Sequence, residues 1–271
     1  MSRTLLVDSL NLSFRFAGKM VFKGLKGAKG AAPFSLDYLS TLRAFARSFK
    51  CEDIVICSDL RGSKYRKSIY PEYKANRIKK DKTEEEQEEF FKFMSYWKDA
   101  EINAELQGIP LLKFEGIEAD DVFANIVINH PNDEYVLLST DSDLDQLISE
   151  KVWRFAYTTK KEFRLSNWDE MHPYVSRENF VAAKCIKGDT SDNIPGAKGV
   201  GDKRIQAFIN MYGDPMLWDA EMFPGVANYK TALREFLGTG MLERNYSLID
   251  LTHCNKDIIT REIQEVINAK H

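Results

Sequence analysis

Nine acidic residues stand where apolar runs end or loops begin: Asp8, Asp59, Glu118, Asp120, Asp121, Asp141, Asp143, Asp189 and Asp192. Thr4-Leu5-Leu6-Val7 leads into Asp8, and Ile54-Val55-Ile56-Cys57 comes just before Asp59. Tyr135-Val136-Leu137-Leu138 leads towards Asp141 and Asp143, and Leu111-Leu112-Lys113-Phe114 towards Glu118. Short apolar runs separated by helical stretches read as buried parallel strands. In an open sheet of that kind, ligands bind in the crevice at the carboxyl ends of the strands. Carboxylates gathered there repel one another, so hard divalent cations are their natural partners. A pair of ions clamping a phosphodiester is the reaction class this suggests. An Asp after a strand is ordinarily a turn or N-cap residue, and each of the nine taken alone fits that role. The runs Glu118-Ala119-Asp120-Asp121, Asp141-Ser142-Asp143 and Asp189-Thr190-Ser191-Asp192 favour metal binding for the set.

The elements that must position these acids follow from periodicity. Strands are expected to end at Asp8, near Asp59, at Phe114 (from Ile109) and at Thr140, with Val152–Tyr157 and Glu162–Leu165 forming a further strand or hairpin. Leu36–Phe49 has helical apolar spacing, and Ala119–Asn129 reads as a helix with Asp120 and Asp121 in its first turn. Another helix starts after Thr83, which can cap it. The run Glu84-Glu85-Glu86-Gln87-Glu88-Glu89 suits the positive end of that helix and is given no chemistry. A Gly- and Lys-rich stretch from Gly18 to Ala32 reads as a loop. After Asp169 the pattern is helical to the end.

Composition bounds the class. The 271 residues are 44% hydrophobic and 29% charged, which describes a soluble globular protein with room for a substantial core and a smaller attached domain. No long apolar run offers a membrane span, and a secretory signal is not expected. Cys51, Cys57, Cys185 and Cys254 are scattered, as are His130, His172, His253 and His271. Reduced thiols in a cytosolic setting are expected, with neither a zinc site nor a catalytic histidine. The net charge is −3, but removing the nine acids from the 41 leaves 32 against 38 basic residues, an excess of six positive charges.

Basic residues concentrate between Arg61 and Lys82, nine against two acids. A charge run is usually a solvated face. Here Tyr65-Arg66-Lys67, Tyr70 and Tyr73-Lys74-Ala75-Asn76-Arg77 interleave aromatic faces with cations, as a single-strand binding surface requires. Further on, Gly199-Val200-Gly201 punctuates two helices and Lys203-Arg204 open the second. Backbone N–H groups at such a helix start can hold a phosphate, with the glycines permitting close approach. A lone Gly-x-Gly is usually only a turn, but the preceding Asp-x-x-Asp pair and the following cations strengthen the signal.

Taken in order, these pieces resemble the flap endonuclease and 5′-exonuclease family over nearly the whole length. They are Asp8; Asp59; Tyr73-Lys74-Ala75-Asn76-Arg77; Glu118-Ala119-Asp120-Asp121; Ser139-Thr140-Asp141-Ser142-Asp143; Gly188-Asp189-Thr190-Ser191-Asp192-Asn193-Ile194-Pro195-Gly196; and Gly199-Val200-Gly201-Asp202-Lys203. The resemblance implies an α/β fold: a PIN-like core with a central, mostly parallel sheet, a helical arch, and a C-terminal helix–three-turn–helix region that grips duplex DNA. Residues 1–165 would form the nuclease core with its arch at 65–100, and 166–271 the helical DNA-binding region. The resemblance puts Asp8, Asp59, Glu118, Asp120 and Asp121 around a first metal and Asp141, Asp143, Asp189 and Asp192 around a second. It makes Lys74 and Arg77 catalytic cations, and Arg15, Tyr73, Gly199, Val200, Gly201, Lys203 and Arg204 DNA contacts. Mg²⁺ is the implied cofactor, with Mn²⁺ able to substitute and K⁺ at the hairpin.

Polymerase-linked relatives continue into a long polymerase, whereas this chain ends at His271 and so resembles the stand-alone bacteriophage type. A monomer in the cytoplasm (the host's, if phage-encoded) is expected, acting on DNA with a 5′ flap, 5′ overhang or nick during primer or flap removal. Two rivals are a PIN-type ribonuclease, which needs neither arch nor duplex-gripping hairpin, and a catalytically inactive DNA-structure-binding protein, in which loss of some of the nine acids is expected.

Overall fold

The computed structural model describes residues 2–20, 31–78 and 83–270. In chain order the first elements are β1 (Arg3–Asp8), α1 (Ser9–Met20), α2 (Ala31–Phe49), β2 (Asp53–Leu60), α3 (Lys64–Ile69) and α4 (Glu84–Leu106). They are followed by β3 (Leu111–Glu115), α5 (Ala119–Asn129), β4 (Glu134–Leu138), β5 (Val152–Ala156) and β6 (Lys161–Phe163). Beyond these lie α6 (Trp168–Met171), α7 (Arg177–Lys187), β7 (Gly188–Asp189), β8 (Ile194–Pro195) and α8 (Asp202–Tyr212). The last helices are α9 (Asn228–Gly238), α10 (Met241–Ile249), α11 (Leu251–Ile258) and α12 (Arg261–Lys270). The chain divides into two compact units, one made of Met1–Gly62, Asp81–Leu165 and Ile258–His271, the other of Ser63–Lys80 and Ser166–Asp257.

The first unit is built on a sheet of order β3-β2-β1-β4-β5-β6, parallel except for the β5–β6 hairpin. Leu5, Leu6, Val7, Ile56, Cys57 and Tyr135–Leu138 are fully buried, which is why these strands read as unbroken apolar runs. From β1 the chain adds β2 and β3 on one side, then crosses to add β4 and β5 on the other. That reversal makes the carboxyl ends of β1 and β4 a topological switch point, the place where ligands bind in sheets of this kind. Leu12, Phe16, Phe34, Tyr38, Leu42, Phe93 and Ala100 join the strand side chains in one apolar cluster. A capping box starts α4: Glu86 N–H donates to Thr83 Oγ1 at 3.2 Å and Thr83 N–H to Glu86 Oε2 at 2.9 Å. Its acidic first turn is therefore structural, as the sequence suggested.

In the second unit the expectation of continuous helix after Asp169 is corrected. β7 and β8 form a small antiparallel pair within Gly188–Pro195. Two-residue strands carry no alternation, so periodicity could not reveal them. The pair depends on Gly188 and Gly196. A Cβ on Gly188 would lie 2.4 Å from Ile194 O, and one on Gly196 2.1 Å from Lys187 C. Of the loop expected from Gly18 to Ala32, Gly18 to Met20 belong to α1 and Ala31 and Ala32 to α2; positions 21–30 lie outside the described residues. Among the described residues no helix is long and apolar enough to cross a membrane.

Candidate functional site

Strand register brings part of the acidic set together. Asp8 pairs with Cys57 in β2, two residues before Asp59, while its neighbour Val7 pairs with Leu138 at the end of β4. Ser139 follows immediately. Its hydroxyl donates to Asp8 Oδ2 at 2.8 Å and accepts the Asp141 N–H at 3.1 Å, so one side chain ties the β1 acid to the β4 loop. Asp8 Oδ1 also accepts the Asn11 N–H at 3.2 Å. Asn11 reaches the same loop, donating to Thr140 Oγ1 at 2.8 Å and accepting the Thr140 N–H at 3.0 Å. Asp141 in turn accepts the Asp143 N–H at 2.9 Å.

On the other side of β1, Asp59 Oδ1 accepts the Ala119 N–H at 2.7 Å, placing a carboxylate on the positive end of α5. Glu118 is the N-cap of α5 and is buried. Its N–H donates to Asp121 Oδ2 at 3.2 Å, and Asp121 has no solvent exposure. Asp121 thus already serves as a helix cap, while Asp120 is only partly covered.

Electrostatics shows how close these acids are. Burial, the Asp59 carboxylate and, more weakly, Asp141 push Asp8 up from 3.8 to about 7, against the hydrogen bonds from Ser139 and Asn11. Burial and the charges of Asp8, Asp120 and Asp59 push the Cys57 thiol well above its ordinary value. Asp8, Asp59, Asp120 and Asp141 therefore share one small region of negative potential. Among the described residues no group of three or more Asp, Glu, His or Cys side chains is gathered in ready ligating geometry. The carboxylates are held by the amides and hydroxyl just named. The donor set is all carboxylate oxygen, and burial and neighbouring acids penalise the charge on Asp8. This fits a hard divalent cation.

The second unit carries Asp189 and Asp192 in a different state. Asp189 Oδ1 accepts the Ser191 hydroxyl at 2.6 Å and the N–H groups of Ser191 and Asp192 at 2.8 and 3.2 Å. Burial opposes its ionisation, but those hydrogen bonds and Lys184, 3.7 Å away, hold its carboxyl below the usual value. Asp192 is the anchor of the 70–78 segment. It accepts from Tyr73 Oη at 2.9 Å and Arg77 Nη2 at 2.6 Å, with Lys74 Nζ at 3.7 Å. Backbone ties reinforce this: Lys74 N–H to Asp192 O, Asn76 Nδ2 to Thr190 O and Asn193 Nδ2 to Glu72 O.

Several DNA-contact expectations change on this geometry. Tyr73 is only 3% exposed, so its ring is no open stacking face; it lies beneath the Lys74 ammonium and helps to position Asp192. Arg66 is likewise buried, donating to Leu248 O. The Val200 side chain is buried and its N–H goes to Ala197 O, so neither faces a ligand. Arg204 donates to Gly199 O at 2.8 Å and covers the Tyr229 ring, holding the turn before α8. Gly199 has φ +76°, a conformation that requires glycine here. Gly201 caps α8, its carbonyl accepting the Arg204 and Ile205 N–H groups at 2.9 and 3.1 Å. Lys203 is exposed in that first turn, and exposed Arg15 lies against Phe45 and Tyr157.

The sequence does not mark Ser139 or Asn11 as supports of the acids, because hydroxyl and amide residues near turns are commonplace. It also missed Asp145, which is fully buried and paired to Arg154 through bonds of 2.6 and 2.9 Å.

A mostly parallel sheet with carboxylates at its switch point is the core of a metal-dependent nuclease class, and the comparisons agree. The family model described as 5′-3′ exonuclease, N-terminal resolvase-like domain, matches residues 3–175. The flap endonuclease of Escherichia phage T5 is 36% identical over 270 residues, covering 97% of this chain and 88% of that protein. The solved T5 5′-exonuclease with bound divalent metal ions (zinc) has a TM-score of 0.86 and 33% identity, over 98% of this chain and 97% of that one. A T5 flap endonuclease pseudo-enzyme–product complex with DNA and metal ions matches over the same shares, at the same identity and a TM-score of 0.85. This chain belongs to the 5′-3′ exonuclease family.

Proposed function

We propose that this chain is a structure-specific 5′ nuclease, a flap endonuclease and 5′-3′ exonuclease that hydrolyses DNA phosphodiesters with divalent cations. The observation that carries the reading is the gathering of strand-end acids at the sheet's switch point, where Ser139 ties Asp8 to Asp141 and Asp59 lies two residues beyond the β2 partner of Asp8. Asp8, Asp59, Glu118, Asp120 and Asp141 would hold Mg²⁺, or Mn²⁺ in its place, with Asp121 supporting Glu118 from behind. Asp143, Asp189 and Asp192 are assigned to a second ion by the resemblance. Bound ions would lower the pKa of the attacking water and offset charge on the departing 3′ oxygen.

The chain's own residues supply the rest. Lys74 and Arg77 would neutralise charge on the reacting phosphate. Both are paired with Asp192 in the structure, so a phosphate that takes these cations would release that carboxylate. Gly199, Gly201 and Lys203 would hold a duplex phosphate at the start of α8, with K⁺ as a further ligand of the turn. Arg15 would add a contact, and Arg204 and Val200 would hold the turn. Selectivity would come from the shape of a 5′ flap, overhang or nick, without reading bases. Residues 1–165 are assigned to the nuclease core with its arch, 166–271 to DNA gripping. The chain would act as a monomer in the cytoplasm, in primer or flap removal.

The test is a parallel cleavage assay on 5′-flap DNA, nicked duplex and matched RNA, with Mg²⁺ or with chelator. Mg²⁺-dependent release of 5′-phosphorylated DNA products, with RNA a poorer substrate, is expected. Preferential RNA cleavage, or DNA binding with no cleavage in Mg²⁺, would overturn the reading.

A further inference from the structure

Directly behind the acids lies a buried charge that the proposed chemistry does not use. Glu101, in the C-terminal third of α4, is 2% exposed. Its Oε1 accepts the Ser9 hydroxyl at 2.6 Å and the Ser58 hydroxyl at 2.5 Å, and its Oε2 accepts Lys113 Nζ at 2.7 Å. Ser9 immediately follows Asp8, and Ser58 immediately precedes Asp59. Lys113 is the β3 partner of Ser58 in the strand register. One carboxylate on one helix therefore holds the start of α1 and the strands β2 and β3, beside two of the candidate metal acids.

Proton bookkeeping shows how closed this network is. The Ser9 hydroxyl has one hydrogen, committed to Glu101, so its two lone pairs must receive Trp97 Nε1–H at 2.8 Å and the Tyr38 hydroxyl at 3.1 Å. Trp97 also lies 4.5 Å beneath the Lys113 ammonium. A buried ion pair of this kind is weak evidence for stability, since apolar residues of similar volume often serve as well or better. What it can supply is geometry. Successive residues of a strand point to opposite faces, so fixing Ser58 on one face fixes where Asp59 points on the other. Fixing Ser9 in the first turn of α1 does the same for Asp8.

We propose that Glu101 is a positioning residue, holding Ser9 and Ser58 so that Asp8 and Asp59 are spaced to receive a divalent ion. The inference rests on the functional reading above, in that Asp8 and Asp59 are taken as ligands. The effect should appear as ion affinity and as the rate of the chemical step, and not as DNA affinity.

The experiment titrates Mn²⁺ into chelator-stripped wild-type protein, Glu101→Gln, Ser58→Ala and Asp8→Asn, following the free ion by electron paramagnetic resonance. Thermal unfolding, single-turnover flap cleavage and duplex binding in Ca²⁺ are measured on the same samples. Glu101→Gln keeps the side-chain shape, and Ser58→Ala removes one hydroxyl while leaving the Glu101–Lys113 pair intact. Both should remain folded with wild-type duplex affinity, bind Mn²⁺ about fivefold more weakly and cleave about tenfold more slowly. Wild-type Mn²⁺ affinity and rate in folded Glu101→Gln would overturn the proposal. If that variant does not fold, wild-type values in Ser58→Ala would overturn it. Asp8→Asn separates the two levels. Retained Mn²⁺ binding and cleavage there would sink the functional reading itself, whereas their loss there beside wild-type Glu101→Gln would sink only the positioning role.

Discussion

The raised pKa of Asp8 makes a stability prediction that runs opposite to the usual carboxylate. Its folded value is about 7 against an ordinary 3.8. The native state therefore holds this proton more tightly than the unfolded chain does, and the contribution to stability is fully present below 3.8. It is lost as pH rises through about 7. Linkage between those two values gives a loss of roughly 2.7 kcal/mol from about pH 5 to about pH 8. Asp8 is half-buried, so solvent screening trims this to about 1.5–2.5 kcal/mol. Asp8→Asn removes the titration. The amide carbonyl can keep the Asn11 N–H, and its Nδ2 can donate to Ser139 Oγ, so the replacement costs little packing. Urea unfolding in chelator at both pH values is the assay. The wild-type protein should lose that amount relative to the variant on going to the higher pH, and the variant should be the more stable of the two there. Added Mg²⁺ should then stabilise the wild-type protein and leave the variant almost unmoved. Parallel pH profiles for the two proteins, or a variant less stable throughout, would refute the reasoning that burial and neighbouring charge load this carboxylate.

Three further outcomes follow from particular contacts. Lys74→Ala should slow single-turnover cleavage by an amount corresponding to about 2.7–4 kcal/mol, with duplex affinity in Ca²⁺ changed little; collapsed affinity with an unchanged rate would make Lys74 a docking residue. Gly201→Val should fold normally, because a Cβ there meets nothing within 4 Å. It should nonetheless weaken duplex binding more than single-strand binding; equal losses in a protein folded by circular dichroism would reduce the turn to a structural one. Arg154→Met strands the fully buried Asp145 without its bidentate partner, and chemical denaturation should show a loss of about 3–5 kcal/mol; a loss under about 1 kcal/mol would mean that Asp145 is neutralised some other way.

Much of this architecture was legible because the signals were long and redundant. Four mostly apolar runs, buried on both faces in β1, β2 and β4 and only partly buried in the edge strand β3, marked the strands, and the acids after them marked the carboxyl edge. Thr83 and Glu86 announced the start of α4 through a local motif. What could not be read depended on contacts far apart in sequence. Glu101 sits on a helix rich in charged residues, so nothing local separated it from a solvated position, and only packing against Ser9, Ser58 and Lys113 reveals its burial. Tyr73 sits among cations as an exposed ring would, yet its hydroxyl closes on Asp192, 119 residues away. The β7–β8 pair is two residues deep on each side and rests on glycines whose need for close approach is a tertiary fact.

The proposed phosphodiester hydrolysis depends on divalent ions held by the strand-end carboxylates. The most direct test is single-turnover cleavage of a 5′-flap substrate across a Mg²⁺ titration of chelator-stripped protein, with Asp8→Asn and Asp143→Asn alongside. The wild-type rate should be near zero in chelator and rise more steeply than first order in Mg²⁺. Both variants should cleave at least about a hundredfold more slowly at limiting Mg²⁺ while staying folded. Cleavage that persists in chelator, or wild-type rates in both variants, would contradict the claim.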